Sequence, residues 1–321
     1  MIKRRSLLSI LSMIVIVMPL SAWNATGHMT VAYIAYQRLD SSTRARVDSL
    51  LKRNPEYQRW IAGAPAGQEG LVAFLNAAIW PDCIKGNACP EYVADGPDNG
   101  NTPPSDASAS QNIGYPDHAM HKYWHYIDLP FAPTGLPTQP TPSVNAETQI
   151  IRMRTALRSP ASDDIKSYDI AWLAHIVGDI HQPLHAIARF TTQHPSGDAG
   201  GNLVRFCEAP CDAPDNLHAY WDNLMGDQTD LASIRVLAAE LLLQPDPTGA
   251  SNTDVSSWSK LSAELAKHFA YTSPISTGSN PNMKLSPRPD SAYDAQAHKV
   301  ARQQVLLAGY RLAFLLNQNL K

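Results

Sequence analysis

Two stretches of this 321-residue chain repeat one arrangement of side chains able to bind metal. In AWLAHIVGDIHQPLHA, residues 171–186, His175 and Asp179 stand four apart, so on a helix both project from one face at neighbouring heights. Pro183 ends that helix, and His185 follows where the chain can turn back toward the same face. DNLHAYWD, residues 215–222, repeats the device with His218 and Asp222. Imidazole plus carboxylate, without thiolate, suits zinc kept open for catalysis, with iron or manganese as lesser options. One such pair alone would be better read as a salt bridge on a solvated helix face. Two pairs plus His185, all in apolar helices, would bury charge at high cost without a metal, so the metal reading prevails.

Two further segments supply weaker candidates. In AAIWPDCIK, Asp82 sits just past a helix end and three residues before Lys85, and in KYWHYIDLP, His125 and Asp128 lie among aromatic residues. A lone histidine in such company is usually a hydrogen-bonded core residue. At WNATGH, a free amine and carbonyl on Trp23 could close a chelate ring on a metal that His28 also reaches, because an α-amino group titrates near pH 8 and loses its proton readily. The alternative is that this segment is only the frayed start of a mature chain.

That chelate requires Trp23 to become residue one, and the preceding segment supports it. Lys3, Arg4 and Arg5, an apolar stretch from Leu7 to Val17, and the small-residue exit Pro19-Leu20-Ser21-Ala22 read as a signal peptide over residues 1–22. The apolar run is short for a membrane span, leaving an uncleaved anchor as the minor alternative. The expected location is secreted or periplasmic, with no stable membrane association after cleavage. Without those three basic residues, 23 Lys and Arg face 29 Asp and Glu, a net charge of −6. This excludes nucleic-acid binding through a broad basic footprint, so any phosphate chemistry needs local positive charge, for which metal is the obvious source. The cysteines fall as two local pairs, Cys83 with Cys89 and Cys207 with Cys211. Two short-loop disulfides are the economical reading in an oxidising compartment, with a cysteine zinc site as the alternative lacking CxxC spacing.

The elements that must position these residues are helices. Apolar residues recur at helical spacing through most of the chain, starting with Val31, Ile34, Ala35 and Leu39. Further helices are expected at Ser42 to Lys52, Glu69 to Trp80 with Pro81 as its stop, Ala146 to Arg158, Asp164 to His181, Asp215 to Met225, Asp230 to Leu243, Ser256 to Phe269 and Ser291 to Gln318. Gly86 to Pro116 and Leu129 to Pro142 read as surface loops. The fold class is therefore all-α, with one domain over 23–321, and no internal repeat is visible.

Taken in order, WNATGH, WPDCIK, WHYID, HIVGDIHQPLH, GGNLV and NLHAYWD resemble the zinc-dependent single-strand nucleases of fungi, plants and bacteria, the S-one/P-one nuclease type, over about two thirds of the mature chain. The resemblance implies the zinc phospholipase C type of helical fold and three zinc ions per chain. One would be held by Asp82, His125, His175 and Asp179; a second by the Trp23 amine and carbonyl, His28 and the shared Asp179; a third by His185, His218 and Asp222. It also implies that Lys85 and Asp82 lie beside the attacked phosphate, that Asp128 and Asn202 belong to a nucleobase pocket, and that Tyr126 stacks on the base. His181 is an extra histidine, expected to be exposed or to lie behind the ligands. The Asn24-Ala25-Thr26 sequon is read as coincidental.

The implied function is an endonuclease cleaving single-stranded DNA and RNA to 5′-nucleotides, with 3′-nucleotidase activity as a companion and a monomer as the active form. A hydroxide shared by two zincs roughly 3.5 to 4 Å apart would be the nucleophile. The third zinc and Lys85 would offset the developing charge. A zinc phospholipase C is the nearest alternative. A secreted zinc-binding protein without catalysis is another, and it leaves Lys85, Asp128 and Asn202 without a role.

Overall fold

The computed structural model describes residues 23–86, 89–206, 215–275 and 289–320. The expected signal peptide and the Cys207–Cys211 pair lie outside the described residues. The described chain forms a mainly helical single domain. Its helices are α1 (Ala25–Gln37), α2 (Ser41–Leu51), the turn-length α3 (Tyr57–Trp60), α4 (Glu69–Ala77), α5 (Trp80–Ile84), the single turn α6 (Pro97–Gly100), α7 (Ala146–Arg158), α8 (Asp163–Asp179), α9 (Leu217–Asp222), α10 (Leu231–Leu242), α11 (Val255–Leu265) and α12 (Ser291–Asn319). None of them is long and apolar enough to cross a membrane.

Local chemistry accounts for the helix starts. Ser162 caps α8 by accepting the Ile165 N–H, and Asp163 and Asp164 in the first turn complement the helix dipole. Asn145 and Thr148 form a reciprocal capping box on α7. Asp230, Asp254 and Asp290 cap α10, α11 and α12.

α8 is the central element, buried from Ser167 through Asp179. It packs against α1, α2, α4, α5, α7 and α12. α1 crosses α12 so closely that a Cβ on Gly309 would fall 2.6 Å from Ile34 Cγ2. The same device operates at the site: a Cβ on Gly178 would lie 2.9 Å from His28 Nδ1, so this glycine lets α1 approach the end of α8 that carries His175 and Asp179.

Several boundaries differ from the sequence reading. The helix expected over Glu69 to Trp80 ends at Ala77, and a new helix starts at Trp80, where Pro81 occupies the first turn that tolerates it. Leu129–Phe131, expected in a loop, is β1, which pairs in parallel with β2 (Ile187–Arg189). β3 (Arg205–Phe206) pairs antiparallel with β4 (Asp215–Asn216), so the helix expected from Asp215 begins at Leu217, with Asn216 as its cap. The segment before His125 is ordered by His121, whose ring stacks on Trp124 at 3.7 Å between the carboxylates of Asp117 (2.7 Å) and Asp95 (3.1 Å). Cys83 and Cys89 form a disulfide.

Candidate metal centre

Three groups of histidine and aspartate side chains, each compact enough to surround one ion, meet around the C-terminal end of α8: His28, His175 and Asp179; Asp82, His125 and His175; and His185, His218 and Asp222. All of the proposed side-chain ligands belong to one of the three. Five separate parts of the chain deliver them: the first turn of α1, α5, the short turn ending at Trp124, α8 with its following turn Pro183–Ala186, and α9.

Asp179 lies between the first two groups. Its Oδ1 is 3.2 Å from His28 Nε2, while Oδ2 is 3.0 Å from His125 Nδ1 and 3.3 Å from His175 Nε2. Asp82 faces the second group, with Oδ1 3.5 Å from His175 Nε2 and 2.6 Å from Lys85 Nζ. His28 and His175 stack at 3.8 Å.

Backbone carbonyls orient the imidazoles. His175 Nδ1 donates to Ala78 O, His185 Nδ1 to His125 O and His218 Nδ1 to Gly200 O, each at 2.7 Å. With Nδ1 protonated, each Nε2 presents a lone pair to the centre, the usual arrangement of metal-binding histidine. Asp222 is held in turn by Gln182, whose Nε2 donates to Oδ1 at 2.6 Å.

The electrostatics agree with that arrangement for four of the five imidazoles, while His175 is raised, its burial outweighed by Asp179 and Asp82. Burial lowers His28 to about 4, with the neighbouring His175 adding to the effect, and lowers His125 and His218 to about 3, helped by Lys85 and His185 respectively. Neutral rings are what a metal requires. Burial also pushes Asp222 well above the usual carboxylate range. It opposes ionisation of Asp82 too, but Lys85 and three histidines outweigh it and hold that carboxyl at about 2. Asp179 is held well below the carboxylate range by His175, His125 and His28 despite full burial.

The donor set fits metal on two further observations. His28 Nδ1, His28 Nε2 and Asp179 Oδ1 are buried without a hydrogen-bond partner, although the last two are close in distance. Uncompensated polar groups of this kind are costly unless an ion satisfies them. In addition, His185 Nε2 and His218 Nε2 face each other at 2.9 Å, a repulsive approach of two lone pairs unless a cation or proton sits with them.

The remaining candidates surround this centre. Trp23 is fully buried, and its ring approaches Gly178 beside His28. Tyr126 donates its hydroxyl to Asn101 O, so the loop carrying α6 is tied to the aromatic residue expected to stack on a base. Asp128 is pushed up to about 7 by burial and by Asp198. Asn202 turns its amide back to Ala199 O at 2.7 Å. His181 is not exposed: it is fully buried, donating from Nδ1 to Val177 O and accepting from Arg311 at 2.9 Å. The sequence reading missed Gly178, Gln182 and Asp198. Gly178 and Gln182 lie inside the ligand segment, where a glycine between two donors was the available signal. Asp198 resembles any turn aspartate.

A family model described as S1/P1 Nuclease matches residues 23–321. Nuclease S1 of Aspergillus oryzae is 24% identical over 247 residues, covering 74% of this chain and 67% of its own length. Endonuclease 4 of Arabidopsis thaliana is 28% identical over 214 residues, covering 63% of this chain and 55% of its own. The chain thus matches about two thirds of one curated relative and just over half of the other.

Proposed function

The chain belongs to the S1/P1 nuclease family, and from that premise we propose that it is an exported zinc endonuclease that hydrolyses single-stranded DNA and RNA to 5′-nucleotides and also removes 3′-phosphates. The observation that carries the reading is the position of Asp179, whose two oxygens face different histidines of two adjoining groups. Asp82, His125, His175 and Asp179 would hold one zinc, the Trp23 amine and carbonyl with His28 and Asp179 a second, and His185, His218 and Asp222 a third. When bound, such ions supply Lewis acidity and the local positive charge that this acidic chain otherwise lacks.

The protein's own groups do the rest. Lys85, buried against Asp82, is placed to neutralise a phosphate oxygen brought to that carboxylate. Tyr126 offers a face for a base, and stacking of this kind contributes about 1 to 3 kcal/mol per base. A duplex opposes that transfer with its own stacking and pairing, which gives the single-strand preference. Asp128 and Asn202 would hydrogen-bond the base edge. The Cys83–Cys89 bridge supports an oxidising destination, and with it removal of residues 1–22.

Lipid phosphodiester hydrolysis by the same metal set is the second reading; the relatives, a nuclease and an endonuclease, favour the first. The deciding experiment assays the mature protein on single-stranded DNA, RNA and phosphatidylcholine, with and without a chelator. Chelator-sensitive cleavage of the nucleic acids with little lipid turnover is expected. Lipid turnover without nucleic-acid cleavage would reverse the assignment, and zinc uptake with no turnover of any substrate would leave only a zinc-binding protein.

A further inference from the structure

We infer that Asp198 is a positioning residue for the third zinc site: by anchoring the turn 197–201 between the turn that carries His185 and the helix that carries His218, it fixes the Gly200 carbonyl that orients His218. The inference rests on the metal reading above and assigns a role to a residue outside the ligand set.

The turn has a conformation that needs an anchor. Gly197, Ala199, Gly200 and Gly201 all have left-handed backbone angles, with φ of +95°, +51°, +58° and +84°. Such a run is unfavourable for Ala199 in particular, and persists only where its surroundings impose it. The Asp198 carboxylate is the anchor. It is fully buried, and its Oδ1 accepts the Arg189 N–H at 2.9 Å and the Tyr271 hydroxyl at 3.0 Å. Oδ2 lies 3.4 Å from Arg189 Nε, and the Arg189 guanidinium in turn sits 4.3 Å over the Tyr271 ring. The Asp198 main-chain oxygen accepts the Leu203 N–H at 3.1 Å, closing the turn on its far side. One buried carboxylate therefore joins β2, Tyr271 and the turn.

What the turn presents is specific to the third site. Gly200 O accepts His218 Nδ1–H at 2.7 Å, leaving His218 Nε2 to face His185 Nε2 at 2.9 Å and Asp222 Oδ2 at 3.6 Å. On its other side Gly200 presses on the residue before His185: a Cβ there would collide with Leu184 O and fall 3.3 Å from His218 Nδ1. Displacement of this turn therefore moves the carbonyl that sets the His218 tautomer. It leaves alone the carbonyls of Ala78 and His125 that hold His175 and His185.

The test uses the mature zinc-loaded protein. Asp198→Asn keeps the side-chain shape and removes the charge that gathers Arg189 and Tyr271. Zinc per chain is followed across a graded chelator series, together with the 15N–1H signals of the histidine rings. One zinc should leave about 10- to 100-fold more readily, the range for loss of an outer partner of a metal ligand. The His218 ring signal should move, with those of His28 and His175 unchanged. A folded variant that holds every zinc as the wild type does, with an unmoved His218 signal, overturns the inference. If Asp198→Asn does not fold, Tyr271→Phe carries the test: it removes one hydrogen bond to Oδ1, and should ease release of the same zinc by about twofold or more. Wild-type release in that variant is equally fatal. A wild-type chain that takes up no zinc fails differently, because it removes the metal reading before any variant is made.

Discussion

The backbone N–H of Asn24 donates to the carbonyl of Asp222 at 3.1 Å, so the start of α1 and the last ligand of the third group are one hydrogen bond apart. The Asn24 side chain adds to the strap, accepting the Gly27 N–H at 3.2 Å and donating to Asn223 Oδ1 at 3.0 Å and Gly226 O at 2.5 Å. Asn24→Ala removes the helix cap and both outward bonds. We expect a loss of about 1 to 2 kcal/mol, the range for such caps, visible as a lower melting temperature. Zinc should also be lost sooner to a chelator, since the side-chain bonds from Asn24 to Asn223 and Gly226 are gone and only the backbone bond still ties α1 to Asp222. Wild-type melting and zinc retention would show the strap to be incidental. A separate variant carrying one extra residue before Trp23 tests the proposed amine: it should fold but lose most nuclease activity.

Asp179 and His218 should differ in how many metals each controls. Asp179 belongs to the first group and turns its other oxygen to His125 of the second, whereas His218 belongs to one. Asp179→Asn is therefore expected to weaken two zincs together, and His218→Ala only one. Elemental analysis after dialysis against a weak chelator distinguishes them; equal losses would contradict a bridging role for Asp179. Full removal of metal should lower the melting temperature in both the wild type and the variants, because a site filled at 1,000 times its Kd contributes about 4 kcal/mol.

The ligand set was legible because helical spacing is local information. His175 with Asp179 and His218 with Asp222 do lie on helices, and α7 has the expected bounds because its cap and its last apolar residue are both written in adjacent positions. The misses involve partners distant in the chain. Leu129–Phe131 contains a proline and no alternation, and becomes a strand only because Ile187–Arg189 lies beside it. His181 is held neutral by burial, with Arg311, 130 residues away, adding to the effect. Asp198 carries no periodic or motif signal; its importance arises from Arg189 and Tyr271, which no local pattern joins to it.

Lys85 should affect turnover more than metal content. It contacts Asp82 at 2.6 Å but belongs to none of the three donor groups. Lys85→Met is expected to lower kcat on single-stranded DNA by about 10²- to 10³-fold, the range for loss of one preorganised charge-stabilising donor, with zinc unchanged. Lys85→Arg should restore part of the rate. A Lys85→Met enzyme with wild-type kcat would remove this side chain from the chemistry.

Tyr126 separates two contributions. Its hydroxyl is committed to Asn101 O, while its ring is the proposed platform for a base. Tyr126→Phe should retain single-strand preference and loosen only the loop that carries α6. Tyr126→Ala should raise KM for oligonucleotides, corresponding to about 1 to 3 kcal/mol of lost stacking. If both variants raise KM equally, the hydroxyl contact matters and the ring does not; if neither raises it, the ring is no platform for a base.

Asp169 predicts a pH dependence of stability that is independent of the metal centre. Burial pushes its carboxyl up to about 8, against which the single bond from Asn112 Nδ2 to Oδ1, at 2.8 Å, works only partly; Oδ2 is buried without a partner. In the unfolded chain the group titrates near about 3.9. Between these values the folded state keeps a proton that the unfolded state has released. The stabilisation is therefore fully present below pH 4 and is lost as pH rises through 8, with a slope on the order of 1 kcal/mol per pH unit. Asp169→Asn cannot titrate, so it should flatten this part of the profile and become relatively more stable at the alkaline end. Urea unfolding of both proteins at pH 5, 6, 7 and 8 reads the difference directly. Parallel profiles would mean that Asp169 is ionised in the folded protein, and that its second oxygen has found a partner in solution.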